Sequence, residues 1–557
     1  MLMKDKYNLS KEIMNMTNNK YDIVIIGSGL GGLTSGAYLA KQGKKVLVLE
    51  SHNIVGGCAT GYKRKNVKFE VGLHELDMAK KNREMKHVIF SKLGLYDRVN
   101  LVQLPQTWRI KTESTDLVIP EGYENAINTL EKEFPEEKEG IKKYFSGLSR
   151  MMYMIRRVPY DLKFWDYFFF PVTTLPMILY QLFKQKNTGD VLDSIIKSDK
   201  LKRILNINIT YYHQNPYEFT WYYHACAQGA YYNSAYFIKG GSQNLSNALA
   251  DIIKENGGEI KVSSEVKKIN VKGNIAEGVT YYDKRAKEEI TVNADYVIAN
   301  AAPQIVYDEL LPKGYEDKRI KKFKNSVSLY TVYIIFKKKF SELYPNNAYS
   351  TFITTEKTLN TNFKEDAKGQ RHIPVEDRNF VFVDYSAIDS GLVEEGDNRS
   401  FAVLTGPSFL DEWKDLSDEE YKARKKEMAE KLIDRAEQHY PGFRDNIEYY
   451  EVATPKTIKR YIKTPDGTPY GFVQDTYLKK SRCVRVSPTV KNLHFASAWN
   501  FPGGGFTGAL LSGYLAARNI LFPLKPYIVL RFLLCGVVGA AIGTAYQWIP
   551  ALINLFK

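Results

Sequence analysis

The segment from Tyr21 to Glu50 constrains the fold of this chain more than any other part of it. It reads YDIVIIGSGLGGLTSGAYLAKQGKKVLVLE. This pattern predicts a buried strand, a glycine-rich turn, a helix of small residues and a second buried strand that ends in a carboxylate. Because this order is the βαβ fingerprint of dinucleotide-binding domains, the sequence predicts an α/β fold with a Rossmann-type domain.

The residues of the glycine turn have separate predicted roles in holding a diphosphate. Gly27 permits the tight turn, and Gly29 has no Cβ, so the backbone can approach the diphosphate. Gly32 lets the helix pack close to the strand. Leu30 and Gly31 complete the turn at the helix N-terminus, where free N–H groups and the positive end of the helix dipole favour an anion.

The residues that follow favour FAD over NAD. Glu50 lies about twenty residues past the glycines and is predicted to accept hydrogen bonds from a ribose 2′-OH. Its charge would repel a 2′-phosphate, which disfavours a 2′-phosphorylated dinucleotide. The pair Gly56-Gly57, followed by Cys58, is predicted to let the backbone run beside a long cofactor in an extended groove. An ordinary glycine turn between two strands is the alternative.

Four separated blocks resemble those of the FAD-dependent phytoene desaturase, carotenoid isomerase and retinol saturase family. The first is the fingerprint, and the second is GGCATGYKRKNVKFEVGLHEL from Gly56. The third is KGGSQNL from Lys239, and the fourth is NLHFASAWNFPGGGFTGALLSGYLAARNI from Asn492 to Ile520. The resemblance extends over most of residues 20–521. The GGC and GLH elements of the second block are more similar to retinol saturase than to the desaturases.

This resemblance implies FAD as the cofactor and further contacts with it. A strand after the third block would return to the adenine, with Val266 as a backbone contact. Residues 291–303, TVNADYVIANAAP, are similar to the strand that returns to the FAD domain in this family, and Ala299 and Asn300 would lie near the cofactor.

The fourth block resembles the segment that meets the ribityl chain and the flavin. Trp499, Gly504 and Gly505 would be the contacts there. Many members of the family carry Gly-Asp-Ser at the positions where this chain has Ser497-Ala498-Trp499. The carboxylate is absent, so a backbone N–H or Asn500 would have to replace it.

The sequence contains no Ser-His-Asp grouping, HExxH or paired-carboxylate motif, so the flavin itself is the predicted reactive centre. His74 and Glu75 are the predicted catalytic residues, as a proton donor or a charge beside the flavin; a purely structural His74 is the alternative. Tyr231, Tyr232 and Trp499 are predicted to line a substrate channel, because aromatic faces complement a conjugated chain. A place in the core is the alternative for these three rings.

Composition limits the partners and gives no indication of a metal centre. The 557-residue chain has a net charge of +15, but no nucleic-acid-binding signature accompanies it. We therefore expect attraction to an anionic membrane surface, with a solvated lysine surface as the alternative. The cysteines contain no CxxC pair, which indicates neither a metal site nor a disulfide framework. They are Cys58, Cys226, Cys483 and Cys535.

Two segments are predicted to meet lipid. The uncharged run FLLCGVVGAAIGTAYQWIPALINLF follows Arg531 and is long enough to span a bilayer core of about 30 Å. Its Gly539 and Gly543 form a GxxxG pattern that would bring two copies together as a homo-oligomer. Residues 151–183 predict either an interfacial helix pair or the core of a substrate domain. Basic residues before the C-terminal run place the catalytic body on the cytoplasmic side.

Two interleaved domains are predicted: a Rossmann-type FAD-binding domain and an α+β substrate domain with a mixed sheet and helices. Their boundaries are a polar tail at 1–20, FAD-binding parts at 21–83, 236–303 and 486–523, substrate parts at 84–235 and 304–485, and a hydrophobic membrane-associated tail at 526–557. Alternating apolar residues predict strands at 328–336 and 379–385. Helices are predicted at 132–154 and 411–440.

These features predict a membrane-associated FAD-dependent oxidoreductase that acts on carbon–carbon double bonds of a long apolar polyene or isoprenoid lipid. Saturase-like reduction is the first expectation, and desaturation or cis–trans isomerisation is the second. The sequence is also compatible with a flavin amine oxidase and with a lipid carrier that holds structural FAD. The electron partner, a pyridine nucleotide, a quinone or oxygen, is left open.

Overall fold

The computed structural model describes most of the chain. Among the described residues no helix is both long and apolar enough to cross a membrane. The predicted tail at 526–557, with Gly539 and Gly543, lies outside the described residues, as do 1–19 and most of the predicted lipid-facing part of 151–183. The described residues are 20–77, 84–157, 177, 180, 186–366, 373–374, 378–476 and 485–523.

The strands belong to two large and two small sheets. In chain order they are β1 (Lys20–Ile26), β2 (Val46–Leu49), β3 (Gly61–Arg64), β4 (Val67–Glu70), β5 (Leu76–Asp77), β6 (Leu101–Gln103), β7 (Gln106–Lys111), β8 (Asp116–Pro120), β9 (Ala235–Ile238), β10 (Glu259–Lys261), β11 (Ser264–Lys272), β12 (Ile275–Asp283), β13 (Glu288–Ala299), β14 (Ser328–Phe336), β15 (Ser350–Ile353), β16 (Phe380–Asp384), β17 (Ser400–Ser408), β18 (Ile447–Ala453) and β19 (Leu493–Phe495).

The helices flank the sheets or connect them. In chain order they are α1 (Leu30–Lys41), α2 (Met85–Leu93), α3 (Tyr123–Glu133), α4 (Lys138–Arg156), α5 (Thr188–Ile195), α6 (Asp199–Leu205), α7 (Trp221–Tyr231), α8 (Gln243–Glu255), α9 (Pro303–Ile305), α10 (Phe340–Leu343), α11 (Glu356–Asn360), α12 (Phe363–Asp366), α13 (Asp418–His439), α14 (Pro455–Ile462) and α15 (Gly505–Leu521).

The first large sheet has the strand order β10-β2-β1-β13-β12-β11, and β19 also pairs with β13. β10, β2, β1, β13 and β19 run parallel, whereas β12 is antiparallel to β11 and β13. Residues Ile23 to Ile26 pair in register with Val46 to Leu49 and are buried with them. Parallel strands covered on both faces read as continuous apolar runs, which explains why the sequence fingerprint predicted this part of the fold.

The second large sheet has the order β18-β14-β17-β16-β15-β7-β8. One face of β14, including Tyr330, Val332 and Ile334, packs with Met428 and Leu432 of α13 in a separate hydrophobic core. Alternate side chains of a strand point to opposite faces. The other face of the second sheet is therefore free to line a cavity over the first domain.

Two helix predictions differ from the structure. The segment 132–154 is not one helix: α3 ends at Glu133 and α4 begins at Lys138. Phe134 has φ −127°, and Pro135 has no N–H to continue a helix. The helix predicted at 411–440 begins at Asp418, because Ser417 and Glu420 form reciprocal side-chain-to-backbone hydrogen bonds that fix the N-terminus there.

Candidate functional site

One continuous cavity of about 2020 Å³ is lined by residues of both large sheets. It reaches from the glycine turn of the fingerprint to the aromatic residues of α7 and to the start of α15. Drug-sized ligands occupy pockets of roughly 300–1,000 Å³. The cavity is therefore large enough for a dinucleotide cofactor and a second large ligand together.

The carboxylate of Glu50 is held at the carboxyl end of β2, beside the glycine turn. Oε2 accepts hydrogen bonds from Ser28 N (2.8 Å) and Ser28 Oγ (2.6 Å), and Oε1 accepts one from His52 N (2.7 Å). Glu50 also lines the cavity. Ligands of open parallel sheets bind outside the carboxyl ends of the strands, so this is the expected place for the ribose of an ADP group.

The glycines of the fingerprint form a cradle that side chains would fill. A Cβ at Gly29 would lie 2.6 Å from Asn300 Nδ2, and one at Gly31 would lie 2.2 Å from the Ala496 carbonyl oxygen. A Cβ at Gly32 would lie 2.2 Å from the carbonyl oxygen of Gly27, so α1 packs directly on the end of β1, as predicted. These neighbours are atoms of the chain itself, so Gly31 and Gly32 serve the packing of α1; Gly27, Gly29 and Leu30 line the cavity, whereas Gly31 and Gly32 do not.

The second glycine pair lies directly beside the first. Gly56 N donates to Ser28 O at 3.0 Å, and a Cβ at Gly57 would lie 3.2 Å from the Cα of Gly29. Both glycines of the pair have positive φ values, +125° and +61°. Cys58 also lines the cavity, but burial raises the pKa of its thiol to about 11. A thiol that stays protonated is a poor nucleophile, which disfavours covalent attachment of a flavin.

Val266, Ala299 and Asn300 of the first sheet and its end were predicted to lie near the cofactor. Two of the three line the cavity. Val266 lines it, on the strand that begins where Ser264 N donates to Glu50 O at 2.7 Å. Asn300 also lines it, and its backbone N–H donates to Ile26 O at 2.8 Å. Ala299 does not line the cavity; it is fully buried within the sheet, where its carbonyl accepts from Ala496 N.

The glycines of the fourth block shape the opposite wall. A Cβ at Gly504 would lie 2.3 Å from Tyr470 O, and Tyr223 OH donates to Gly504 O at 3.1 Å. Gly505 has φ +82° and begins α15, so the helix N-terminus opens into the cavity. Trp499 lines the cavity and packs its ring on Phe472, with 4.9 Å between the ring centroids.

Asn500 was one of the two groups expected to replace the missing carboxylate of the fourth block, and the structure does not place it at the cavity. Asn500 does not line the cavity, because its side chain turns inward and donates to Ser497 Oγ at 3.3 Å. Ser497, Ala498 and Trp499 do line it. The backbone N–H groups of Ser497, Trp499 and Asn500 donate to Ser512 Oγ, Ser497 Oγ and Ser497 O, so hydrogen bonds within the chain fix the shape of this loop.

The segment that carries His74 and Glu75 is irregular rather than the end of a strand, and it is held by tyrosines of the second sheet. Tyr349 OH donates to His74 O at 2.6 Å and Tyr385 OH donates to Leu73 O at 2.9 Å. Both tyrosines are fully buried. Nothing in the sequence distinguishes them from the other tyrosines of the chain, so sequence analysis did not identify this support.

A buried carboxylate supports the same segment from the first domain. Glu70 accepts hydrogen bonds from the backbone N–H groups of Gly72 (3.1 Å), Leu73 (2.9 Å) and Ser242 (2.6 Å). Burial raises the pKa of Glu70, although these hydrogen bonds oppose the rise. Glu70 thereby joins the backbone of the second sequence block to that of the third. It also fixes the residues that lead into His74.

His74 and Glu75 both face the cavity, and burial favours the uncharged form of each side chain. Burial lowers the pKa of His74 to about 4, and His74 Nδ1 lies 3.1 Å from Tyr211 OH. Burial raises the pKa of Glu75 to about 8, and the nearby charge of Asp77 raises it further. At neutral pH the imidazole is uncharged and the Glu75 carboxyl group carries its proton.

The two tyrosines predicted to line the substrate channel are separated by the structure. Tyr231 lines the cavity, whereas Tyr232 does not. Tyr232 is buried in the core, with its ring centroid 5.2 Å from that of Trp108 and 4.9 Å from that of Phe145. Tyr232 thus occupies a place in the core, the alternative given for it, because the two residues, adjacent at the end of α7, point to different sides. Further aromatic residues of the lining include Trp108, Tyr211, Tyr212, Tyr222, Tyr223, Phe352, Tyr470, Phe501 and Phe506.

Comparison with known proteins decides the family. The family model for flavin containing amine oxidoreductases matches residues 30–521. The chain belongs to this family. As a flavin containing oxidoreductase it uses FAD, and the cradle formed by the glycine turns fits that cofactor. Glu50 would hold the ribose, the fingerprint turn the diphosphate, and the start of α15 the flavin side. When bound, FAD supplies or accepts a hydride.

Two relatives confirm the resemblance found in the sequence. The chain is 26% identical over 534 residues to an all-trans-retinol 13,14-reductase of Danio rerio, covering 90% of this chain and 86% of the relative. It is 26% identical over 538 residues to a chloroplastic prolycopene isomerase of Daucus carota, covering 93% and 83%. An oxidoreductase from Methanosarcina mazei shares the fold, with a TM-score of 0.56 at 15% identity over 90% of this chain and 100% of the other.

Proposed function

We propose that this oxidoreductase reduces a carbon–carbon double bond of a long apolar polyene or isoprenoid lipid. The observation that carries the proposal is that the Glu75 carboxyl group lies in a cavity that joins the FAD cradle to an aromatic chamber, where burial favours its protonated form. Such a chamber suits a conjugated chain, because flat aromatic faces pack well against it.

Saturation of a double bond needs a hydride donor and a proton donor. The FAD cradle would hold the first, and Glu75 is the candidate for the second. Reduction of a double bond adds a hydride to one carbon and a proton to the other. Glu75 holds a proton at neutral pH inside the cavity and can give it to the second carbon. His74, which is uncharged and lies 3.1 Å from Tyr211 OH, adds no competing positive charge there. Glu75 then regains its proton from water.

The relatives support this proposal and also name its main rival. One is a reductase of retinol and the other an isomerase of prolycopene, and the chain is 26% identical to each. The same aromatic chamber would serve isomerisation or desaturation of a polyene. The three reactions differ in which flavin state is consumed and in the mass of the product, so one experiment separates them.

The test starts from anaerobically photoreduced holoenzyme, to which all-trans-retinol or prolycopene is added while the flavin absorbance near 450 nm is followed. Saturation predicts stoichiometric reoxidation of the flavin and a product heavier by two hydrogen atoms. Rearrangement of the polyene with the flavin still reduced would instead establish an isomerase. The same polyenes are also added to the oxidised holoenzyme. If the polyene reacts with the oxidised flavin and not with the reduced one, the enzyme is a desaturase and the reductase proposal is contradicted.

We also propose that the protein is membrane-associated, with its catalytic body on the cytoplasmic side. The apolar part of the cavity is lined near the end of α4 by Met152 and Ile155, and along α15 by Leu511 and Leu515. Arg156 and Arg518 line the same part. The two segments predicted to meet lipid follow the C-terminal ends of α4 and α15 in the sequence. Apolar substrate would therefore enter the cavity near these two helix ends.

Vesicle flotation tests the membrane proposal. The full chain is expected to float with vesicles that contain anionic phospholipid, and a chain that ends at Pro523 is expected to float at least about tenfold less. The reason is that the shortened chain lacks the long uncharged run after Arg531. Equal flotation of the two chains, or none by the full chain, would contradict the proposal.

A further inference from the structure

The cavity opens to solvent beside α14. Arg460, Tyr461 and Lys463 are exposed and line the cavity, so this side of it is accessible. Lys425 of α13 and Lys456 of α14 also line it and are partly buried. We call the four basic residues Lys425, Lys456, Arg460 and Lys463 the basic entrance.

Three cations of the basic entrance have no anionic partner. Lys456 Nζ lies 4.9 Å and Lys425 Nζ lies 5.5 Å from the centroid of the Tyr421 ring. Neither ammonium group, nor the guanidinium group of Arg460, forms an ion pair or a hydrogen bond with the residues that the structure describes. An aromatic face attracts a cation without neutralising it. Two positive charges are therefore held at one ring without a countercharge.

The carboxylates around the basic entrance do not balance its charge. Glu451 of β18 forms an ion pair with Arg64 at 3.3 Å. Asp418, at the start of α13, is a single carboxylate against the three unpaired cations. Glu265 of β11 is shared by three lysines, which are Lys463 (2.8 Å), Lys267 (2.7 Å) and Lys284 (3.3 Å). Positive charge is therefore in excess at this opening, which attracts an anion.

One face of the second sheet leads from the basic entrance toward the start of α15. Tyr330 OH donates to Lys425 O at 2.8 Å, so Lys425 lies beside the end of β14. Alternate residues of β14 line the cavity from there, and they are Leu329, Thr331 and Tyr333. At ~3.3 Å per residue, this row extends over about 13 Å. Tyr333 OH donates to Val71 O at 3.2 Å, and a Cβ at the following Gly72 would lie 4.0 Å from Phe506 Cε2 in α15.

The lining of this row restricts the ligand. Thr331 and Thr405, which are hydrogen-bonded through their hydroxyl groups, make it more polar than the aromatic chamber around α7. An isoprenoid chain therefore fits the chamber better than it fits this row. Lys425 and Lys456 are partly buried in a concave opening, which suits a small molecule better than the surface of a protein. The expected ligand is a soluble small molecule with several negative charges that can reach the flavin.

We propose that the basic entrance binds the phosphate groups of a reduced pyridine nucleotide, the electron donor of this enzyme. The inference rests on the proposed function, because a reductase consumes reduced flavin in every turnover. A hydride passes from the nicotinamide ring to the flavin and then to one carbon of the double bond, while Glu75 gives a proton to the other carbon. The nucleotide leaves oxidised by two electrons and the polyene leaves reduced by two, so the electrons balance.

The basic entrance also predicts which pyridine nucleotide is preferred. NADPH carries a 2′-phosphate that NADH lacks, and such a group adds about two negative charges at neutral pH. The excess of cations therefore favours NADPH. Glu50 disfavours a 2′-phosphate only in the FAD cradle, where the ribose of FAD would occupy it.

Reduction of the flavin by added nucleotide tests the donor site without any substitution. Oxidised holoenzyme is mixed anaerobically with NADPH or NADH in the absence of polyene, and the loss of absorbance near 450 nm is followed. We expect the rate to saturate, with a half-saturating concentration at least about tenfold lower for NADPH than for NADH. That concentration should rise with ionic strength, because salt screens exposed charges. Equal half-saturation by both nucleotides, or reduction by neither, would overturn the proposal.

Failure of the donor site can be distinguished from failure of the proposed function. The reductase proposal is tested with photoreduced enzyme, which needs no nucleotide. Saturation of a polyene by photoreduced enzyme that neither nucleotide can reduce would contradict the donor site alone. Reduction by NADPH without any reaction of a polyene would support the donor site and contradict the proposed function. Reduction by a reduced acidic carrier protein such as flavodoxin, and by neither nucleotide, would overturn the assignment of a small molecule.

A double variant tests which residues bind the phosphate groups. Lys425→Met with Lys456→Met removes both ammonium groups at Tyr421 and keeps most of the apolar part of each side chain. We expect the half-saturating NADPH concentration to rise at least about tenfold, while the limiting rate of flavin reduction changes by less than about twofold. The FAD content, and the reaction of photoreduced enzyme with polyene, should be unchanged.

The matched control is Lys422→Met with Lys459→Met. It removes one exposed charge from each of the same two helices, at positions outside the cavity lining. An equal rise in the control would mean that net charge alone governs binding and would overturn the site, as would loss of FAD from the Lys425 and Lys456 variant only. If that variant does not fold, Arg460→Met at an exposed position replaces it. A raised half-saturating NADPH concentration in Arg460→Met would support the site, and an unchanged one would overturn it.

Discussion

Gly31→Val is expected to give a colourless protein that no longer retains FAD. The new Cβ would lie 2.2 Å from the carbonyl oxygen of Ala496, where a real contact is impossible. Ala496 cannot easily move away, because its N–H donates to Ala299 O at 2.9 Å within the first sheet. The substitution would therefore separate α1 from the loop that leads to α15, and both form the FAD cradle. We expect the Kd for FAD to rise at least about 100-fold.

The matched control is Gly43→Ala, just past the other end of α1. Gly43 has φ +78°, but a Cβ there would meet nothing within 4 Å. The cost should be confined to backbone strain of about 1 kcal/mol, with FAD retained. The measurements are the absorbance of purified protein near 450 nm and fluorescence titration of the apoprotein with FAD. A yellow Gly31→Val protein with one FAD per chain would show that this contact does not shape the site.

Glu75→Gln is expected to slow double-bond reduction by about 10²–10⁴-fold, the usual contribution of a general acid. Glutamine has nearly the same shape but carries no acidic proton to give to the substrate. FAD binding and the anaerobic reduction of the bound flavin should be unchanged, because neither needs this proton. The measurement is the rate at which added polyene reoxidises the reduced enzyme. A variant with the wild-type rate would exclude Glu75 as the donor.

The pH dependence of that rate gives a second test of Glu75. Burial raises the pKa of its carboxyl group to about 8, and the acid form is the active one. The rate should therefore be constant below about pH 8 and fall as pH rises through that value, approaching tenfold per unit above it. The pKa of His74 is about 4, so His74 should add no step between pH 6 and 9. Glu75→Gln should abolish the fall, and a rate that increases above pH 8 would mean that the wrong protonation state has been assigned.

The part of the fold that could be predicted is the part encoded in contiguous residues. Strand, turn, helix and strand follow one another within Tyr21 to Glu50, so the fingerprint was enough to predict this part of the fold. The second sheet could not be assembled in the same way. Its β7 pairs in parallel with β15, whose residues Thr351 to Ile353 lie far along the chain from Arg109 to Lys111. Pairing between strands so far apart in the chain produces no pattern within a short stretch of sequence.

The candidate site, like the fold, could be predicted from the sequence only in part. Glycine positions in the cradle follow from the chemistry of a diphosphate, so they could be placed by sequence alone. The side to which an aromatic residue points could not, as Tyr231 and Tyr232 demonstrate. The contacts of Asp77 with Lys86 and Thr507 were missed because the three residues come from separate elements and form no motif. Helix ends were misplaced at Pro135 and Ser417, where a missing N–H and a capping box set the boundaries.

The tyrosine hydroxyls that hold the backbone at Leu73 and His74 have a mechanical consequence. They belong to Tyr385 and Tyr349 of the second sheet and its following turn, whereas the FAD cradle belongs to the first. Because Glu70 of the first domain binds the N–H groups of Gly72 and Leu73 as well, the backbone that leads into the proton donor is anchored from both sides. A relative movement of the two sheets would break one of these sets of hydrogen bonds, so the acid is expected to keep its position when substrate enters.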